Sequence, residues 1–124
     1  MRQYRCLVVE DSKTMRSMLS ESLARIPGME IVEAENGLAG IRALAMQRFD
    51  LVVTDVNMPV MDGWKLVQHV RGDPRHEKIP VVVITTESAP NDRDRAIALG
   101  ANAYIEKPIQ APRVIRAVRK LLEV

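Results

Sequence analysis

The chain has 124 residues, about one domain at roughly 100–200 residues each. With 47% hydrophobic and 27% charged residues, it has the balance of a globular fold, not of a disordered chain, a collagen-like repeat or a disulfide scaffold. The 18 Lys and Arg against 16 Asp and Glu leave a formal charge of +2, too even to indicate a nucleic-acid partner.

Aromatics, at 3% (Tyr4, Phe49, Trp64 and Tyr104), are too few for a base-stacking platform. The single cysteine, Cys6, leaves no disulfide or cysteine-based zinc site to build and fits a reducing compartment. His69 and His76 are not at helical ligand spacing. No apolar run approaches a membrane span and the N-terminus lacks a secretory apolar core, so a cytoplasmic protein is expected. No repeat, low-complexity segment or linker divides residues 1–124, and one domain with no output module after Val124 is expected.

Cys6-Leu7-Val8-Val9 is a buried-strand candidate that ends at Glu10-Asp11. Met15, Met18, Leu19, Ser22, Leu23 and Ile26 recur at helical spacing, and Pro27-Gly28 stops that helix. Glu30–Glu33 reads as a second strand. After the Asn36-Gly37 turn a helix places Leu38, Ile41, Leu44 and Ala45 on one face. Leu51–Thr54 is a third strand that delivers Asp55 at its end. A loop with Asn57, Pro59, Asp62 and Gly63 follows, then a short helix marked by Leu66, Val67 and Val70 and closed by Gly72-Asp73-Pro74.

Val81–Ile84 is the purest apolar strand. Ser88-Ala89-Pro90 reads as a helix entry with Pro90 near the first helical position, and Gly100 ends that helix after Ile97 and Leu99. Ala103–Ile105 is a fifth strand before Lys107-Pro108. The last helix carries Val114, Ile115, Val118, Leu121 and Leu122 inside and Arg113, Arg116, Arg119 and Lys120 outside. That basic face is either simply solvated or a dock for an acidic partner helix.

Strands alternating with helices imply an α/β fold, a doubly wound parallel sheet covered on both faces with right-handed crossovers. Continuous Val, Ile and Leu runs suit strands buried on both sides. Ligands of such sheets bind beyond the strand carboxyl ends. Glu10-Asp11, Asp55, Thr85-Thr86 and Lys107 all fall on that rim. Three carboxylates gathered there repel one another unless a cation intervenes. Mg²⁺ suits such a set because it retains waters and accepts phosphate oxygens. With an ammonium and a hydroxyl nearby, the set is equipped for phosphoryl transfer, with Asp55 as the nucleophile forming an aspartyl phosphate. Each group alone has a plainer reading, and Glu10-Asp11-Ser12 also reads as the N-cap region of the first helix.

In order along the chain stand Leu7-Val8-Val9-Glu10-Asp11-Ser12, Asp55-Val56-Asn57-Met58-Pro59-Val60-Met61-Asp62-Gly63, Ile84-Thr85-Thr86-Glu87, Gly100-Ala101 and Lys107-Pro108. With these stretches the sequence resembles, over essentially its whole length, the receiver domain of two-component response regulators, most closely the CheY-like chemotaxis type. The resemblance implies a (βα)5 flavodoxin-like fold with strand order 2-1-3-4-5, for which a CheY-type fold is itself the standing example.

It also implies that Asp55 accepts a phosphoryl group from a histidine kinase. Glu10 and Asp11 would hold Mg²⁺ with Asp55 and the backbone carbonyl of Asn57, Thr85 would be the switch hydroxyl, and Lys107 would pair with the phosphoryl group. The Lys107-Pro108 bond would be cis, and Gly63 would permit the tight turn after the site loop, a plain turn glycine being equally compatible.

Asn57 and Glu87 would modulate how water reaches the acyl phosphate, and Thr86 stands where the family is usually smaller. Tyr104 would turn inward with Thr85, or is an ordinary half-buried tyrosine on an edge strand. Output would pass to a target protein through the helix 4–strand 5–helix 5 face, in chemotaxis or motility. The alternatives are a phosphorelay intermediate and an unphosphorylated scaffold. Ile109 departs from the aromatic that often follows Lys-Pro in the family.

Two further readings are disfavoured by the residues. An aspartyl-phosphate hydrolase commonly has a second Asp two residues after its nucleophile, where this chain has Asn57. A nucleotide- or flavin-binding module lacks its glycine pattern here.

Overall fold

The computed structural model describes residues 2–58, 61–85 and 90–124. These form strands β1 (Tyr4–Val9), β2 (Met29–Ala34), β3 (Leu51–Asp55), β4 (Val81–Thr85) and β5 (Ala103–Glu106). They alternate with helices α1 (Lys13–Ala24), α2 (Gly37–Met46), α3 (Gly63–Gly72), α4 (Pro90–Ala98) and α5 (Ala111–Leu122). All neighbouring strands pair in parallel, in the order β2-β1-β3-β4-β5, as the resemblance implies.

Alternation along each strand sends successive side chains to opposite faces of the sheet. Leu7, Val9, Val52, Val81 and Val83 meet Leu44 of α2, Leu66, Val67 and Val70 of α3 and Ala96 of α4. Cys6, Val8, Leu51, Val53, Val82 and Ile84 meet Leu19 and Leu23 of α1 and Val114 and Val118 of α5. Each fully buried aliphatic side chain contributes about 1.5–3 kcal/mol, so the runs that define the strands also supply most of the cohesion. Ile109, in place of the family's aromatic, belongs to this second layer and is buried.

Three expectations from periodicity need correction. Helix α1 ends at Ala24, so Ile26 lies beyond it, although it is buried. Met18 is exposed, because the inner stripe runs through Leu19, Ser22 and Leu23. In α2 the inward face is Gly37, Gly40 and Leu44, while Leu38 is 40% exposed and Ala45 lies outside. The cause is close approach: a Cβ on Gly40 would stand 3.1 Å from Val9 Cγ2. The helix therefore lies on the sheet by its glycines and turns its larger residues aside.

Side-chain caps hold the entries of α1, α2 and α3. Ser12, Asn36 and Asp62 accept hydrogen bonds from the amides of Met15, Ala39 and Lys65, each satisfying an N–H without an intrahelical partner. The N-cap reading of Ser12 thus holds, with Glu10 and Asp11 immediately before it.

Arg71 is the main polar staple. Its Nε donates to Gly100 O (2.9 Å), Nη1 to Ile79 O (2.7 Å) and Glu77 O (3.1 Å), and Nη2 to Asn102 Oδ1 (2.7 Å). It ties the end of α3 to the segments entering β4 and β5. Arg71→Met is expected to cost about 2 kcal/mol, because four acceptors, two of them partly buried, lose a charged donor together. Thermal unfolding should show a clear fall in Tm, and an unchanged Tm would assign the staple no net value.

Candidate functional site at the carboxyl rim of the sheet

The parallel register explains how residues distant in sequence meet. Val9 pairs with Thr54, so Glu10, one residue on, is level with Asp55. Asp55 pairs with Ile84, and Thr85 pairs with Glu106, which places Lys107 just past Thr85. The Lys107 amide donates to Thr85 O (2.7 Å), and the Lys107-Pro108 peptide is cis. The crevice between β1 and β3 is where chain order reverses, because β1 leads outward to β2 on one side while β3 lies on the other.

Within that crevice Glu10, Asp11 and Asp55 each offer a carboxylate oxygen, all within 4.8 Å of one another. Glu10 and Asp55 are 1% exposed and Asp11 is exposed. Lys107 Nζ lies 3.3 Å from Asp55 Oδ1 and 3.8 Å from Glu10 Oε1. One ammonium thus faces two buried carboxylates. Burial first, then the Asp55 carboxylate beside it, pushes the Glu10 carboxyl up to about 7, against the opposing pull of Lys107. Glu10 Oε2 and Asp55 Oδ1 are buried without a hydrogen-bond donor among the described residues. Asp55 Oδ1 has the Lys107 ammonium as an ion-pair neighbour, but not in hydrogen-bond geometry.

Buried acceptors without donors are costly and rare. Oxygen-only donors, a like-charge cluster and unsatisfied buried oxygens together fit a hard divalent cation. The exposed Asp11 leaves one side of the cluster facing solvent.

The loop after Asp55 is pinned at both ends. Val56 N donates to Ile84 O (3.0 Å) and Gly63 N to Val56 O (3.1 Å). A Cβ on Gly63 would strike the Asp55 carbonyl oxygen and stand 2.8 Å from Val56 Cα. Gly63 has no left-handed backbone and is the first residue of α3. It serves by leaving room for α3 to start against the strand that carries Asp55, not by permitting a turn.

Of the other expected residues, Thr85 ends β4 and is buried, and Asn57 is exposed two residues after Asp55. Glu87 and Thr86 lie outside the described residues. Tyr104 is half-buried on the edge strand β5. It lines a groove of about 530 Å³ between α4 and α5, with Arg93, Ile97, Arg113 and Ala117. Among the described side chains of α4 only Ala96 is buried, and Ile97 is 58% exposed.

Two contacts between elements escaped the sequence. The Arg95 guanidinium on α4 sits 4.6 Å from the centre of the Trp64 ring on α3. Arg16 donates through Nη1 to the Glu10 carbonyl (2.8 Å) and through Nε to Glu33 Oε1 (2.9 Å). Both residues read as ordinary helix positions, and only contacts between elements reveal them.

Comparison with known proteins decides the family. The family model "Response regulator receiver domain" matches residues 6–119. The chain is a response regulator receiver domain of the CheY-like type. The receiver is 40% identical over 111 residues to the chemotaxis protein CheY1 of Helicobacter pylori, covering 89% of each. Its fold superposes on the chemotaxis response regulator CheY4 of Vibrio cholerae with a TM-score of 0.89 at 30% identity, covering 97% of this chain and 99% of that one. The manganese-bound form of response regulator Rcp1 is similar at a TM-score of 0.80 and 28% identity, covering 95% of this chain and 91% of the other. Among the described residues no helix of the receiver is long and apolar enough to cross a membrane.

Proposed function

We propose that the receiver accepts a phosphoryl group on Asp55 from a histidine kinase, uses Mg²⁺, and signals in chemotaxis by binding a target protein, working in the cytoplasm. The carrying observation is the buried Asp55 carboxylate, with the Lys107 ammonium at 3.3 Å and the Glu10 and Asp11 carboxylates clustered with it. An Asp55 oxygen forms the bond to phosphorus as the donor's phosphorus–nitrogen bond breaks, and the electron pair of that bond leaves with the donor imidazole.

Glu10, Asp11, Asp55 and the Asn57 backbone carbonyl would hold the cation, whose positive charge would neutralise phosphoryl oxygens as charge redistributes. The manganese-bound relative supports a divalent ion on this kind of fold. Lys107 places a fixed positive charge where phosphoryl oxygens arrive, and Thr85 supplies a hydroxyl donor at the end of the adjacent strand. Asn57, with Glu87, would govern the approach of water to the acyl phosphate. Tyr104 and the groove beside it belong to the face offered to the target, where Arg93 and Arg113 flank exposed Ile97.

Incubation with a small acyl phosphate, followed by intact mass over time, tests the reading. A single phosphoryl adduct that forms with Mg²⁺, is suppressed by chelator and decays after donor removal is expected. No adduct in either condition would favour a scaffold that works unphosphorylated.

A further inference from the structure

We infer that Arg16 is a positioning residue for the cation site, acting through the backbone of Glu10. The inference rests on the phosphoacceptor reading of the rim and assigns a role to a residue outside it. Glu10 follows β1 directly, and its two backbone groups are held by different elements. Its N–H donates to Ala34 O at the end of β2 (3.1 Å), and its carbonyl accepts from Arg16 Nη1 (2.8 Å).

The carbonyl of residue 10 and the amide of residue 11 belong to one planar peptide unit. Fixing that carbonyl therefore fixes the plane from which both Glu10 and Asp11 project their carboxylates. Arg16 is suited to the task because its own position is determined from two directions. Its amide donates to Ser12 O (2.8 Å) in the first turn of α1, and its Nε is paired with Glu33 on β2. The Arg16 side chain is 17% exposed and its bond to the Glu10 carbonyl is partly buried, so water competes less for that bond than for the exposed pair with Glu33.

The arrangement couples the ends of β1 and β2 to the start of α1 through one guanidinium, with the acidic pair between them. A residue that orients metal ligands from behind typically changes metal affinity by about 10–100-fold when removed. Lysine can keep one of these two bonds but not both, because a single ammonium does not reproduce two donors in a fixed plane.

The test is Mg²⁺ titration by calorimetry on wild type, Arg16→Gln, Arg16→Lys and Glu33→Gln, with thermal unfolding in chelator and the Asp11 amide resonance of the metal-free protein as independent readouts. Arg16→Gln should weaken Mg²⁺ binding about tenfold or more and shift the Asp11 amide before any metal is added. Arg16→Lys should restore affinity in part, and Glu33→Gln should give an intermediate loss. Wild-type affinity in Arg16→Gln, with or without a lower Tm, would overturn the inference and leave Arg16 a structural staple. Failure of wild type itself to bind Mg²⁺ would overturn the reading of the rim together with the inference.

Discussion

Asp55→Asn is expected to abolish the phosphoryl adduct while leaving the fold intact. The substitution conserves shape but replaces an anionic oxygen nucleophile with an amide, which does not attack phosphorus at neutral pH. Asp55 is fully enclosed at the end of β3, yet the fold does not depend on its charge. Among the described side chains its charged neighbours are Lys107 and the two other acids of the cluster, and removing one of three clustered negative charges relieves repulsion.

Lys107 retains Glu10, at 3.8 Å, as its partner. Adduct formation in wild type and none in Asp55→Asn, with unchanged circular dichroism, is the expected result. Equal labelling of the two proteins would show that another group takes the phosphoryl, and peptide mapping would locate it.

Glu10→Gln should change two properties in opposite directions. Unfolded, a glutamate titrates near 4.3, whereas Glu10 in the folded, metal-free receiver titrates at about 7. Between those values the folded state binds more protons than the unfolded state, so stability falls as pH rises. The favourable contribution of the protonated side chain is complete below the unfolded value and gone above about 7. Glutamine stays neutral throughout, and its amide can donate toward Asp55. In chelator the variant should therefore be more stable than wild type at pH 8, by on the order of 2 kcal/mol, and show a flatter pH profile through this range.

The same change removes an anionic ligand, so Mg²⁺ affinity should fall at least tenfold. In wild type the proton and the cation compete for Glu10, so Mg²⁺ binding should strengthen as pH rises toward 7 and then level off. Parallel pH–stability curves for the two proteins, from denaturant titrations at pH 5 and pH 8, would contradict the raised Glu10 value.

Both expectations turn on what surrounds a carboxylate, and this marks how far the linear chain can be read. Residue order alone determines the three central strands, because Cys6–Val9, Leu51–Thr54 and Val81–Ile84 are continuous apolar runs that only a sheet covered on both faces can bury. Order alone also places Glu10-Asp11, Asp55, Thr85 and Lys107 at strand ends, and in parallel strands those ends share a rim. The resemblance to receivers rests on the same short stretches, which is why family, strand order and the cis Lys107-Pro108 bond could be anticipated together.

Tertiary structure decided the rest, because those properties belong to pairs of elements. The inward face of α2 follows the approach of Gly40 to Val9, which hydrophobic periodicity cannot register, since glycine carries no hydrophobic signal. The need for glycine at residue 63 comes from the Asp55 carbonyl behind it, not from local backbone shape. The raised Glu10 value comes from burial and the neighbouring Asp55, and the same enclosure leaves Glu10 Oε2 and Asp55 Oδ1 without a hydrogen-bond donor among the described residues. Arg16 gains its meaning only when α1 folds back over the ends of β1 and β2. Periodicity and residue type reveal what each segment must bury, but field, packing distance and shared hydrogen bonds arise only where segments meet.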